Sequence, residues 1–323
     1  MADVTAAVEL DGQYRSMREG AGLLDRSDRG KLLVRGADAA EYLQGQLTNE
    51  IVGLDPDQGC YTALLDRKGH VVADMRVLRL SHSHAGGIWL DSEATALEPL
   101  RKHLETYKIG REVEVVDETE EWGISSLIGP GSAKVAGSAP LSPEYTQHYY
   151  VRDGIEILAV ATDLGLDLIT RSEAAEALRE QLLASGADPV TEEAAEIVRV
   201  ESGRPRFGHD FDGRTMPAEA GIVERAVDFE KGCYIGQEPV ARLHYRGKPN
   251  RRLVGLRLSA PAERGAALRL GEREVGAIGS ACVSPARGPI ALAVVRREAD
   301  AGDRLEVGDG ELTAEVAELP FAA

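Results

Sequence analysis

Cysteine is scarce in this sequence. Three thiols, Cys60, Cys233 and Cys282, are spread through 323 residues without a CxxC pair. That pattern excludes a disulfide framework and a cysteine-rich metal site, and it points to a reducing compartment, the cytoplasm. Positive charge is also in deficit: 37 Lys and Arg face 54 Asp and Glu, for a net charge of −17. Such a field repels phosphate backbones, so direct nucleic-acid binding is not expected. No apolar run approaches the ~18 residues of a membrane span. The opening residues, MADVTAAVELDGQYRSM, contain acids and lack the apolar core of a signal peptide. Phosphate-binding P-loops, GxGxxG after a strand, GxSxG and HExxH are all missing.

What remains is the composition of a soluble globular protein, 43% hydrophobic and 28% charged. The length exceeds that of a single core, so two or three domains are expected. Residues 1–120 alternate strand and helix patterns. Strands are expected at 31–35, 60–65, 70–80, 88–91 and 111–116. Helices are expected at 39–47, with Asp38 and Glu41 as a capping pair, and at 96–107, with Leu97, Leu100 and Leu104 at helical spacing. Gly69 supplies the positive-φ position of the turn at 66–69. Residues 121–200 repeat a similar order: strands at 122–128, 149–152, 155–161 and 166–170, then a helix at 173–185 with Thr170 and Glu173 as its cap. A third helix at 191–202 stops at Gly203. The order resembles two ferredoxin-like, split βαβ halves. Residues 203–247 show little periodicity, as a functional loop system would. Short strands at 253–258, 267–270, 274–283, 290–295 and 312–319 indicate a small antiparallel barrel or sandwich. The expected fold is therefore α+β, with lobes at 1–120 and 121–248 and this small antiparallel β-domain at 249–323.

Four segments carry polar chemistry. At 231–238 the chain reads KGCYIGQE, which sets a thiol, an ammonium, an amide, a phenol and a carboxylate around two glycines. A thiolate is the reactive form of cysteine, and the ammonium of Lys231 is placed to favour it at Cys233. The plainer alternative is a small buried hydrophobe. At 42–50, YLQGQLTNE offers Gln44, Gln46, Thr48 and Asn49, whose amides can read the edge of a heterocycle or simply cap a helix. At 66–77, Val72, Asp74 and Arg76 share one strand face opposite Val71, Ala73, Met75 and Val77. That parity places Asp74 towards solvent or a cleft. At 201–221 lie Arg204, Arg206, His209, Asp210, Asp212 and Glu219. Adjacent His209 and Asp210 point apart and make no metal pair. A local exception to the acidic balance runs from 241 to 252, with Arg242, Arg246, Lys248, Arg251 and Arg252. It is either an anion site or a solvated loop.

The octapeptide looks like the K-G-C-Y-x-G-Q-E signature of YgfZ-type folate-binding proteins, a branch of the superfamily that includes the glycine cleavage T-protein, an aminomethyltransferase. YLQGQLTNE and GRPRFGHDFDGRTMPAEAG resemble that superfamily's F-L-Q-G-Q and G-x-P-x-x-G-x-D segments, and Asn250 to Gly255 resembles the start of its barrel. The resemblance implies two ferredoxin-like lobes and a barrel around a central channel holding tetrahydrofolate or a folate derivative. It puts Asp74 at the catalytic aspartate, Glu219 at the pterin-binding glutamate, and Arg251 or Arg252 at the folate tail. Gln46, Asn49, Tyr234 and Gln237 complete the expected cofactor set. Cys233, which T-proteins generally lack, implies the branch's role as an accessory of iron–sulfur cluster assembly or repair, with iron–sulfur proteins as partners and Lys231 assisting the thiol. The alternative is a tetrahydrofolate-dependent one-carbon transferase using Asp74.

Overall fold

The computed structural model describes residues 2–81 and 87–321. The chain opens with helix α1 (Ala2–Glu19) and strands β1 (Gly22–Asp25) and β2 (Gly30–Arg35), followed by α2 (Ala39–Gln46), β3 (Gly59–Leu65), β4 (Val71–Arg79), β5 (Ile88–Ser92), α3 (Ala94–Tyr107) and β6 (Glu114–Asp117). It continues through β7 (Trp122–Ile128), α4 (Ser132–Ala136), β8 (Gln147–Arg152), β9 (Ile155–Ala161), β10 (Gly165–Arg171), α5 (Ser172–Ala184) and β11 (Asp188–Pro189). Helices α6 (Glu192–Glu201), α7 (Val223–Ala226) and α8 (Gln237–Arg246) lead to strands β12 (Arg251–Leu258), β13 (Ala267–Leu270), β14 (Arg273–Ser284), β15 (Gly288–Arg296), β16 (Arg304–Val307) and β17 (Leu312–Ala317).

Two compact units result. The first comprises Met1–Leu64, Ala73–Ala195 and Glu230–Tyr234; the second comprises Leu65–Val72, Glu196–Phe229 and Ile235–Ala323. The first holds a five-stranded sheet in the order β3-β4-β5-β2-β6 and a six-stranded sheet in the order β11-β1-β7-β10-β9-β8, consistent with two ferredoxin-like lobes. Strand β1 pairs antiparallel with β7, so the chain starts in the six-stranded sheet and then crosses to the other. One core serves both sheets: Leu33, Leu78 and Trp89 pack with Trp122, Ile124 and Ile169, and the two indoles meet edge to face at 5.7 Å. Burying Ala96, Leu100 and Leu104 along one stripe holds α3 on its sheet, at roughly 1.5–3 kcal/mol for each leucine.

In the second unit, six antiparallel strands close a barrel in the order β12-β15-β14-β13-β16-β17. Val254, Leu256 and Leu258 point inward at every second position of β12. Irregularities in register at Leu268/Arg269 and Ile278/Ala281 supply the bends that closure needs.

Several local readings are corrected. Asp38 precedes α2 without capping it; its carboxylate instead accepts the Glu112 N–H at 2.8 Å. Thr170 lies within β10 and donates to the Glu156 carbonyl at 2.8 Å, so it cannot cap α5. The region 203–247 contains α8, whose Glu238–Arg242 pair at i,i+4 is the sequence signal that marks it. Strand β16 is absent from the sequence expectation, although Arg304–Val307 alternates exposed and buried positions. Among the described residues, no helix is long and apolar enough to cross a membrane.

Candidate functional site

Asp74 sits in the middle of β4, where both faces are buried, and is itself 8% exposed. Asp74 is therefore turned away from bulk solvent, against the solvent half of the expectation. The face shared by Asp74 and Arg76 is covered by polar groups rather than water. Tyr61, on β3, donates its hydroxyl to Asp74 Oδ2 at 2.5 Å. Among the described residues Asp74 makes no ion pair. Burial pushes its carboxyl up to about 6, opposed by the Tyr61 hydrogen bond, reinforced by Glu93 and again opposed by Arg29.

Beside it lies a buried ion network. Arg29 bridges Asp91 and Glu93, each at 2.6 Å. Arg76 reaches Asp91 and also Asp167, the latter at 2.5 Å. Ser126 donates to the other oxygen of Asp167. Arg76 thus ties the five-stranded sheet to the six-stranded one. Burial alone raises the Asp91 carboxyl, but the guanidinium groups of Arg29 and Arg76 outweigh it and hold it below its ordinary range. The contrast with Asp74 is direct: on neighbouring strands, one buried carboxylate has two cations and the other has a phenol.

The polar residues after α2 are taken up in shaping the chain. Gln44 Oε1 accepts the N–H groups of Ile51 and Val52, and its amide donates to Glu50. Asn49 donates to the Tyr61 carbonyl at 2.8 Å, so the turn is laced to the strand that carries the phenol. Gln46 Oε1 lies 2.8 Å from His103 Nε2 on α3. Lys231 is 8% exposed and donates to the carbonyls of Gln44, Leu47 and Asn49 at 2.8, 2.6 and 2.7 Å. An ammonium carries three protons, and here three carbonyls at a helix C-terminus receive them, where a cation is also favoured by the helix dipole. Lys31 repeats the device on the carbonyls of Ser27, Arg29 and Thr119.

Cys233 is exposed, whereas Cys60 and Cys282 are part-buried. Burial pushes the Cys60 thiol up to about 12, with the Lys231 charge pulling against it, and burial does the same to Cys282. Tyr234 is buried with its ring 5.3 Å from the Lys231 ammonium. The octapeptide then passes into the second unit. Gly236 has φ 81°, and a Cβ there would lie 2.4 Å from the Asp66 carbonyl oxygen, so only glycine fits. Gln237 opens α8 and, with Glu238, Ala241, Arg242, Tyr245 and Arg246, lines a surface groove of about 500 Å³.

Also in the second unit, Glu219 is buried and takes a forked ion pair from Arg251, at 3.1 Å from Nε and 2.9 Å from Nη2, plus the Met216 N–H. Three of the carboxylate's roughly four acceptor positions are thus occupied. Arg252 turns to the Ala299 carbonyl and Asp300. The basic run at 241–252 is therefore partly neutralised by Glu238, Glu219 and Asp300. No group of three His, Cys, Asp or Glu among the described residues could hold a metal ion.

The described residues thus form two α/β sheets followed by a closed six-stranded antiparallel barrel. Residues 6–231 match the GCVT N-terminal domain and residues 251–322 match the glycine cleavage T-protein C-terminal barrel domain, so the chain belongs to the glycine cleavage T-protein family. The aminomethyltransferase of Rubrobacter xylanophilus is 28% identical over 324 residues, covering 97% of this chain and 86% of the relative. That of Prosthecochloris aestuarii is 27% identical over 334 residues, covering 96% and 90%. The crystal structure of glycine cleavage system aminomethyltransferase T from Bartonella henselae superposes with a TM-score of 0.86 at 25% identity, covering 97% of this chain and 89% of the other.

Tyr61, Arg29, Asp91 and Asp167 were not singled out in the sequence. Tyr61 lies thirteen residues from Asp74, and only the pairing of β3 with β4 brings them together. Arg76 carried a signal, as a second charge on the Asp74 face of a strand that is otherwise apolar.

Proposed function

We propose that this protein is a tetrahydrofolate-dependent one-carbon transferase of the aminomethyltransferase kind, with Asp74 as the carboxylate at the reacting centre. The observation that carries this reading is a carboxyl buried without an ion-pair partner among the described residues, in a chain that matches aminomethyltransferases over nearly its whole length. A fold gains nothing from such a group, since burial of an unpaired acid costs stability, and perturbed buried acids cluster at functional sites. Tetrahydrofolate would supply the amine nitrogens that accept a one-carbon unit. Asp74, as the carboxylate, would stabilise positive charge developing there, in a setting where low dielectric strengthens the interaction. Glu219, with one acceptor position left open by Arg251 and the Met216 N–H, would accept a single N–H from the amidine edge of a pterin. Arg251 then serves to hold Glu219. A folate's pterin and glutamate ends are separated by its aminobenzoyl ring, so a guanidinium already forked onto the pterin carboxylate is a poor holder of the tail. The exposed cations of α8 and the segment after it, Arg246 and Lys248, suit that anionic end better. Gln46, Asn49, Tyr234 and Gln237 complete the proposed contacts.

The test is formation of methylene-tetrahydrofolate or methyl-tetrahydrofolate from amine or lipoyl-bound donors. Turnover in the wild type that is lost in Asp74→Asn supports the proposal; turnover that survives the substitution refutes the role of Asp74. A second reading rests on exposed Cys233: a YgfZ-type folate-binding accessory of iron–sulfur cluster assembly or repair, working on iron–sulfur partners through that thiol. It requires Cys233→Ser to abolish function in cells lacking the native gene, and full rescue by that variant sinks it.

A further inference from the structure

We propose, building on Asp74 as the reacting-centre carboxylate, that Tyr61 is its positioning residue: the phenol fixes Oδ2 and favours the carboxylate over the acid, which leaves Oδ1 as the oxygen that meets substrate. The geometry is specific. The two side chains come from neighbouring strands, β3 and β4, and meet at 2.5 Å. A phenol has one proton to donate, so this bond sets the carboxyl's orientation as well as its charge. The strand under Tyr61 is itself anchored, because Asn49 binds its carbonyl.

The other charged groups that act on Asp74 are Glu93, which favours the acid, and Arg29, which favours the carboxylate. Arg29 is committed to Asp91 and Glu93 at 2.6 Å each, so its charge is largely answered. The guanidinium of Arg76 is committed likewise to Asp91 and Asp167. Apart from a backbone hydrogen bond at Asp74 itself, Tyr61 is left as the side chain in direct contact that keeps Asp74 ionised against burial. Its role differs from that of a spacer in the wall of the site: a Phe would fill the same volume and lose the control.

The experiment follows the Asp74 carboxyl directly, by carbon NMR of protein labelled at the aspartate carboxyl carbon, with Asp74→Asn to assign the signal. In the wild type the midpoint is expected near the burial-raised value of about 6. In Tyr61→Phe it moves up by about one unit, the equivalent of one charge-assisted hydrogen bond. Site-specific 3-fluorotyrosine at position 61, a stronger donor of nearly the same shape, moves it down. The acidic limb of the transfer rate follows both shifts. An unchanged midpoint in an active Tyr61→Phe protein, or a loss of rate equal at every pH, overturns the proposal and leaves the transferase reading standing. Absence of turnover in the wild type overturns that reading instead, and with it the catalytic half of the role given to Tyr61, while the NMR shift still reports the coupling.

Discussion

Replacing Asp74 by Asn should make the protein more stable at neutral pH while abolishing transfer. The side chain keeps its size and still offers an oxygen to the Tyr61 hydroxyl, but it no longer needs to be charged. The wild-type carboxyl has an ordinary value of 3.8 and rises to about 6 in the fold. The folded state therefore holds this proton more tightly than the unfolded state. The stability it contributes is present below about pH 4, is lost as pH rises through the interval up to about 6, and is flat above that. About two pH units at 1.36 kcal/mol each give roughly 3 kcal/mol of strain at pH 7. The Asn amide leaves an N–H short of a partner, which returns about 1 kcal/mol, so a net gain of about 2 kcal/mol is expected. Urea unfolding of both proteins at pH 4.5 and pH 7.5 measures it. The variant should win at pH 7.5 and lose its advantage at pH 4.5. A variant no more stable than wild type at pH 7.5, with the same pH dependence, refutes the idea that Asp74 is held ionised at a cost.

Lys231→Met should cost about 3 kcal/mol, because three carbonyls, that of Leu47 buried and those of Gln44 and Asn49 part-buried, lose a shared charged donor; an unchanged denaturation midpoint would show that they are satisfied otherwise. Gly236→Ala should destabilise by at least about 2 kcal/mol through its left-handed φ and the clash with the Asp66 carbonyl, whereas Gly232→Ala, with no atom within 4 Å of the added carbon, should stay within about 0.5 kcal/mol. Equal effects in the two glycine variants would contradict the geometry. Brief alkylation of the native protein with iodoacetamide, followed by peptide mass spectrometry, should label exposed Cys233 first and leave Cys60 and Cys282 to react only on unfolding.

The elements with clear periodicity were legible without coordinates. Strands β7, β9 and β13 fall at the residues the alternation marks; α3 starts two residues early and ends where expected, and α5 is shifted by one residue at each end. Gly69 was read as a positive-φ turn residue and has φ 83°. Capping was less legible. Asp38 and Thr170 have the right side chains for caps, but each finds a better-placed partner elsewhere in the fold, Glu112 and Glu156.

By itself the sequence determined the α+β architecture, the closing barrel, the family and the position of a carboxylate worth attention, because each depends on local pattern or on contiguous motifs. Only the tertiary structure decided what surrounds those groups. Alternation along β4 says which side chains share a face, but not that the face is covered. It was the arrival of Asp167 from another sheet and Arg29 from the turn before β2 that made it a buried polar layer. Likewise KGCYIGQE reads as a reactive cluster, yet the chain folds Lys231 inward onto the carbonyls after α2 and leaves Cys233 outside. Charge and polarity are properties of a residue; whether they are solvated, paired or left desolvated is set by partners distant in the chain, and that difference separates Asp74 from Asp91.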